Sequence, residues 1–218
     1  LLLFNLGDRL GFVSAPVLIL ASSAVILLVL FIVLERRAQQ PLVDLNLFKN
    51  YLFTGGNISL GIFSLALAIH MLLMPFYMID GIGYSALETG VLLATVQLFT
   101  LVLAPLSGWL SDKVGSRLLC TVGITLVCLA LFLFSSLDTK SSFTEILLRL
   151  IVIGVGLGMF GTPNSSLIMG SVPRDKLSTA SAMIATVRQI GMSSGMAIAG
   201  AIFTSRQFFY AAQLASGN

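Results

Sequence analysis

A chain of 218 residues with 57% hydrophobic and 10% charged side chains, and a mean hydropathy of +1.02, is too apolar for a water-soluble domain. Its apolar runs are continuous, without the two-residue alternation of a membrane barrel, which leaves helices that pair every backbone group internally. The formal net charge of +3 follows from membrane topology and anionic lipid and does not call for nucleic acid.

The chain does not open on methionine, and residues 1–3 read as the tail of an earlier apolar segment, so a fragment of a longer protein is expected. Six apolar stretches follow, over 11–34, 52–79, 86–110, 118–134, 146–170 and 179–203, against the ~20 residues that carry a helix across hydrocarbon. Arg36, Arg37 and Lys49 precede the second stretch, Lys113 and Arg117 follow the third, and Arg174 and Lys176 follow the fifth, so these cations share one side. Arg9, Lys140 and Arg206 fall on the other. The cation-rich side is therefore predicted to be cytoplasmic. Phe48, Tyr51 and Trp109 sit where an inner aromatic belt belongs, and Tyr77, Tyr84 and Tyr210 where an outer one does.

The joints carry stop and start signals. Ser85 with Glu88, and Ser142 with Glu145, fit the capping box; each glutamate could instead be a functional carboxylate at the outer surface. Pro173 marks the turn before the last stretch, with Ser178 as the expected N-cap. Cys120 and Cys128 lie eight positions apart on one helix, too far for a disulfide and too sparse for a metal. No cofactor or metal is implied, and nothing points to an enzyme.

Polar groups inside the apolar stretches are the candidate functional residues, because each needs a partner or water within hydrocarbon. His70 suits a proton relay, or else neutral packing among its apolar neighbours. Gln97 and Asn164 suit a cavity lining or a bond between helices. Arg188 lies about 14 Å into the last stretch at 1.5 Å per residue, where it must face carbonyls, a carboxylate or a wet cavity, or simply pin two helices together. Arg149 is closer to the outer surface and is expected to snorkel to headgroups. No Asp or Glu lies well inside any stretch. A proton-carrying carboxylate is therefore expected outside this fragment.

Small residues suggest how the helices meet. Gly90, Ala94, Gln97, Leu101, Ala104 and Gly108 share one helical face, which is predicted to meet protein or water and not lipid. Gly154, Gly158, Gly161 and Ser165 repeat the pattern, and Gly191 with Gly195 forms a small-xxx-small pair that lets backbones approach. The Gly154–Gly156–Gly158 spacing is not a dinucleotide loop, because no strand precedes it.

The run at 108–117, Gly-Trp-Leu-Ser-Asp-Lys-Val-Gly-Ser-Arg, combines a glycine at a helix end, an acid, a second glycine and a cation in one turn. Gly108 permits close approach, Gly115 permits backbone angles other residues resist, and Asp112 can pair with Arg117 or cap a neighbouring helix N-terminus. An ordinary polar turn would use the same residue types.

This run resembles the G-x-L-x-D-x-x-G-x-R signature of the major facilitator superfamily. Phe31-Ile-Val-Leu-Glu35-Arg36-Arg37 leading through Pro41-Leu42 to Leu47-Phe48, the opening Gly11-Phe-Val-Ser14, Arg149 with Gly154, Gly156 and Gly158, and Arg188-Gln189-x-Gly191 with Gly195 are similar to the fourteen-span drug:proton antiporters of the EmrB/QacA type. Phe12, where tryptophan is commoner, and Met78-Ile79, where Leu-Gln often stands, depart from that pattern. The resemblance implies an all-α, polytopic membrane protein: a partial major facilitator fold of about six helices, with linker helices over 1–50, five helices of the C-terminal bundle over 51–203, and an extracytoplasmic tail over 204–218. It implies proton-coupled efflux of lipophilic or cationic compounds across the cytoplasmic membrane, by rocking against an N-terminal bundle of the same protein. His70, Gln97, Asn164 and Arg188 are then substrate or coupling candidates, Gly108, Asp112, Gly115 and Arg117 the gate, and Arg149, Gly154, Gly158, Gly191 and Gly195 helix-packing positions. Met71, Met74, Phe63 and Phe160 are expected to line the cavity. An uptake carrier for a sugar, anion or siderophore, and a non-transporting receptor or assembly protein, are the alternatives.

Overall fold

The computed structural model describes residues 22, 26, 30, 45–139 and 141–215. Apart from residues 22, 26 and 30, the predicted stretch 11–34 lies outside them, as do the motif pieces up to Leu42, Arg9, Arg36, Arg37 and Lys140, and the side chain of Tyr210. Among the described residues every regular element is helical: α1 (Tyr51–Phe76), α2 (Ala86–Val114), α3 (Ser116–Phe134), α4 (Phe143–Gly170) and α5 (Leu177–Ala215). A π-helical turn, Tyr77–Ile82, extends α1, and short 3-10 turns, Leu45–Lys49 and Arg174–Lys176, precede α1 and α5.

Four of these helices, α1 with its π-helical extension and α2 to α4, are long and apolar enough to cross a membrane. The last, α5, is 39 residues long but falls short of that apolarity, because Arg188, Gln189, Arg206 and many small residues interrupt its hydrophobic run. It also continues to Ala215, past the end predicted at Phe203, so residues 204–215 extend the helix where a tail is predicted.

Boundaries follow from caps. The Ser85 backbone N–H donates to Glu88 Oε2 at 2.8 Å while Glu88 N donates to Ser85 Oγ at 3.3 Å, and Ser142 with Glu145 closes the same box. Both glutamates therefore act as caps. Asn50 caps α1 by accepting from Leu52 N at 3.0 Å, and its Nδ2 donates to the Ser171 carbonyl at 2.7 Å, tying the start of α1 to the end of α4. At the last joint Pro173 caps the 3-10 turn and α5 begins at Leu177. Ser178 thus sits inside the first turn and is not the N-cap. Gly83 and Gly115 take φ of +90° and +91°, angles that other residues adopt only under strain.

Cross-joint contacts show that successive helices alternate in direction. Asn50 reaches Ser171 and Arg117 reaches Tyr51, gathering the joint before α1, the α2–α3 joint and the α4–α5 joint at one end. Tyr77 donates to the Asp138 carbonyl at 2.8 Å, and the Tyr84 and Phe143 rings lie 6.1 Å apart, gathering the other joints at the opposite end. Lys49, Lys113, Arg117, Arg174 and Lys176 share the first end; Asp80, Glu88, Asp138 and Glu145 share the second. In sealed cells carrying the full-length protein with Cys120 and Cys128 replaced by serine, a membrane-impermeant maleimide is expected to label Asp138→Cys and spare Lys113→Cys. Labelling of both from outside contradicts the alternation.

Helix α4 is the centre, clasped by α2 on one side and α3 on the other, while α5 pairs with α1. Glycines set each seam. A Cβ on Gly154 would meet the Val96 carbonyl at 2.9 Å and one on Gly158 the Leu103 Cβ at 2.7 Å. The carbonyls so exposed are used: Thr100 Oγ1 donates to Gly154 O at 3.2 Å and Ser107 Oγ to Gly158 O at 2.7 Å. On the opposite face of α4, Gly156 lies against Val127 and Gly123 against the backbone of Met159 and Phe160. Gly191 and Gly195 bring α5 against the α1 backbone at Gly61 and Leu65. Such contact replaces the hydrophobic drive that lipid removes. Ser107→Ala, which deletes the cross-helix bond and little else, is expected to cost about 0.6–1.7 kcal/mol, read as an earlier thermal unfolding of the purified full-length protein.

Helix α2 packs on α4 through a face other than its small-residue face. Thr89, Leu92, Val96, Ser107 and Ser111 are the buried positions of α2, whereas Gly90, Ala94, Gln97 and Leu101 are exposed in this bundle. The small-residue face is rotated away because the hydroxyls of Thr100 and Ser107, which need partners in hydrocarbon, find them on α4.

Candidate functional site

A cavity of about 400 Å³ opens among α1, α2, α4 and α5. It forms because Gly154 and Gly158 draw α4 onto α2, and Gly191 and Gly195 draw α5 onto α1, while the α4–α5 and α1–α2 pairs touch far less. Two tight seams with a looser space between them leave room for a small molecule, and the volume lies in the range usual for such sites.

Three of the predicted polar residues meet there: His70 of α1, Gln97 of α2 and Arg188 of α5 all line the space. His70 is buried and its ring stacks on Phe134 with centroids 4.8 Å apart, which fixes the imidazole plane. Gln97 and Arg188 are exposed toward the opening. Ser64 and Thr100 add hydroxyls, though Thr100 is committed to the carbonyls of Val96 and Gly154. The walls are Leu60, Phe63, Leu67, Met71, Leu93 and Met192. No carboxylate lines the cavity among the described residues, so its one formal charge is that of Arg188.

Asn164 is placed elsewhere. It is buried, and its Nδ2 donates to the Gly56 carbonyl at 3.2 Å, bridging α4 to α1; it also lines a second, more open cavity of about 290 Å³ beside Tyr51, Arg117 and Phe160, so both of its expected uses are met. Met74 and Phe160 also lie away from the first cavity, Met74 in the apolar core shared with Leu92 and Ile146, and Phe160 against Phe63 with ring centroids 4.3 Å apart. Arg149 sits near the acidic end, where Nη2 donates to Ser136 Oγ at 3.3 Å while the buried Nη1 has no partner.

The α2–α3 joint is the second cluster. Gly108 brings α2 within reach of Thr162 on α4, and the Gly115 N–H donates to Ser111 O at 3.0 Å, closing the helix before the chain reverses. Ser111 and Ser116 hydroxyls bond across the turn at 2.7 Å. Asp112 and Arg117 do not pair with each other. Arg117 donates to the Tyr51 hydroxyl at 2.5 Å, with its guanidinium 5.4 Å from that ring, and Lys113 lies 3.8 Å above the Trp109 ring. Asp112 is exposed in the last turn of α2.

Sequence reasoning missed Thr100, Ser107, Ser111 and Tyr51. A signal existed for the first two: hydroxyl residues seven positions apart recur on one helical face of an otherwise apolar run. Tyr51 as a partner for Arg117 had none, since the two stand 66 residues apart.

The model of the Major Facilitator Superfamily matches residues 2–196. YhcA of Bacillus subtilis (strain 168), an MFS-type transporter, is 30% identical over 190 residues, which is 87% of this chain and 36% of YhcA. The riboflavin transporter RibZ of Clostridioides difficile (strain 630) is 31% identical over 187 residues, 85% of this chain and 41% of RibZ. The quinolone resistance protein NorB of Staphylococcus aureus (strain MRSA252) is 29% identical over 212 residues, 93% of this chain and 44% of NorB. The chain spans about two fifths of the length of these relatives. With a family match over residues 2–196, nearly its whole length, the chain belongs to the major facilitator superfamily.

Proposed function

We propose that this chain is the C-terminal part of a secondary transporter, not of an enzyme, and that the intact protein exports lipophilic compounds across the cytoplasmic membrane by alternating access, driven by protons. The observation that carries this reading is the cavity lined by His70, Gln97 and Arg188 between two glycine-seamed helix pairs. Its methionine-bearing walls suit an adaptable rather than a shape-specific ligand. The exposed small-residue face of α2 is a surface for a second bundle, which the greater length of the relatives would supply. The cations gathered at one end put that end in the cytoplasm, and residues 51–203 form the first five helices of the bundle.

Export is favoured over uptake by the likeness to a protein named for quinolone resistance, since expulsion confers resistance; RibZ, named for riboflavin transport, keeps a metabolite carrier as the second reading. Coupling would use a carboxylate of the other bundle, because this cavity has none, with His70 as the titratable group on this side. Everted vesicles containing the full-length protein are expected to accumulate a lipophilic dye when their lumen is acidified, and to lose it when the gradient is collapsed. Accumulation that ignores the proton gradient removes the antiport mechanism, and no accumulation removes the export reading.

A further inference from the structure

The cavity is apolar except for a few groups, and among them the only formal charge on the described lining residues is positive. Arg188 presents a fixed positive charge with five N–H donors. Gln97, on another wall of the same cavity, adds a neutral amide with two N–H donors and one acceptor oxygen. His70, stacked on Phe134, lines the same space and carries no acidic group. Nothing acidic opposes them among the described lining residues. A cation entering here meets repulsion that the low-dielectric walls screen poorly. A carboxylate meets the opposite: the planar guanidinium fork matches its two oxygens. Arg188 is also the group with most to gain, since a guanidinium held within hydrocarbon depth needs an acceptor.

Resting on the carrier reading above, we propose that the site selects lipophilic molecules bearing a carboxylate, monoanions or zwitterions, and binds their acid end at Arg188. The apolar body lies against Phe63, Met71 and Met192, and the soft thioethers of the two methionines accept many shapes. Selectivity is then by charge at one end and tolerance at the other. This departs from the cationic preference that the family resemblance suggests.

The matched probes are tetramethylrhodamine, a zwitterion with a free carboxylate, and its methyl ester, a cation with the same ring system. Binding to the purified full-length protein is read by fluorescence anisotropy, which is insensitive to membrane potential. The zwitterion is expected to bind at least roughly tenfold more tightly than the ester, the scale of one lost charge-assisted hydrogen bond. Arg188→Gln should erase that preference, and Arg188→Lys should keep part of it. Equal binding, preference for the ester, binding of neither dye, or a preference that survives Arg188→Gln overturns the proposal. The wild-type comparison decides even if a variant fails to fold. The carrier reading falls on a separate result, the absence of dye accumulation by wild-type everted vesicles, so a protein that transports yet ignores the carboxylate sinks only the acceptor site.

Discussion

Gly123→Leu is expected to prevent the full-length protein from accumulating as a monodisperse species in detergent. A Cβ at this position would stand 2.7 Å from the Phe160 backbone nitrogen and 2.9 Å from the Met159 carbonyl carbon. Both obstacles are main chain in the middle of α4, so no rotamer change relieves the clash. The helices must separate, and separation opens the contacts of Val127 and Phe160 in the same core. Overpacking costs about 1–3 kcal/mol where side chains can yield; here the cost lies at or above the top of that range. Gly156 faces the same seam from α4, with the Gly123 carbonyl 3.0 Å from its would-be Cβ, so Gly156→Leu should behave alike. Gly90→Ala is the control: nothing lies within 4 Å of its Cβ. Size-exclusion profiles and thermal unfolding of the three variants check this, and a Gly123→Leu protein that matches Gly90→Ala in both would refute the seam.

Asp112→Asn is expected to cut transport while leaving abundance and unfolding temperature intact or slightly improved. Asp112 lies in the last turn of α2, where the negative end of the helix dipole disfavours an acid. It is exposed, and Arg117, the nearest cation in sequence on the far side of the turn, is engaged by Tyr51. Within this bundle the charge therefore contributes little to stability. On the carrier reading proposed above, its partner is positive and external, such as the N-terminus of a helix in an opposing bundle, with the contact formed in one transport state and broken in the other. A charge at a helix N-terminus in a partly buried setting is worth up to ~2 kcal/mol, so its loss should shift the state balance, and transport with it, by up to roughly thirtyfold. Dye efflux rates normalised to protein abundance check it; normal efflux by the Asn variant removes Asp112 from the gate.

Much of the fold was legible in the residues. The starts of α2 and α4 follow from Ser-x-x-Glu sequences in which both halves of the box form, and the end of α3 coincides with the end of its apolar run at Phe134. These are local effects, set by side chains reaching three residues along. The last helix shows the limit: its start moved to Leu177 because Arg174–Lys176 form a 3-10 turn, and its length outran the hydrophobic signal.

The site was legible only in part. His70, Gln97 and Arg188 stand out because a polar group inside hydrocarbon must be buried in protein or wet, and the structure places all three on one cavity. Asn164 obeys the same rule by a different route, a bond to the Gly56 carbonyl.

The sequence by itself determined the medium, the helical class, the alternation of joints and the segregation of charge, because these depend on composition and on contacts within a few residues. Only the tertiary structure decided which face of α2 meets α4, that Arg117 turns to Tyr51 and away from Asp112, and which polar groups share a cavity. Those outcomes depend on how far each helix is rotated about its own axis. Rotation is set by glycine seams and hydroxyl-to-carbonyl bonds; the glycines and hydroxyls stand out in local spacing, but the partners they meet, 50 or more positions away, do not.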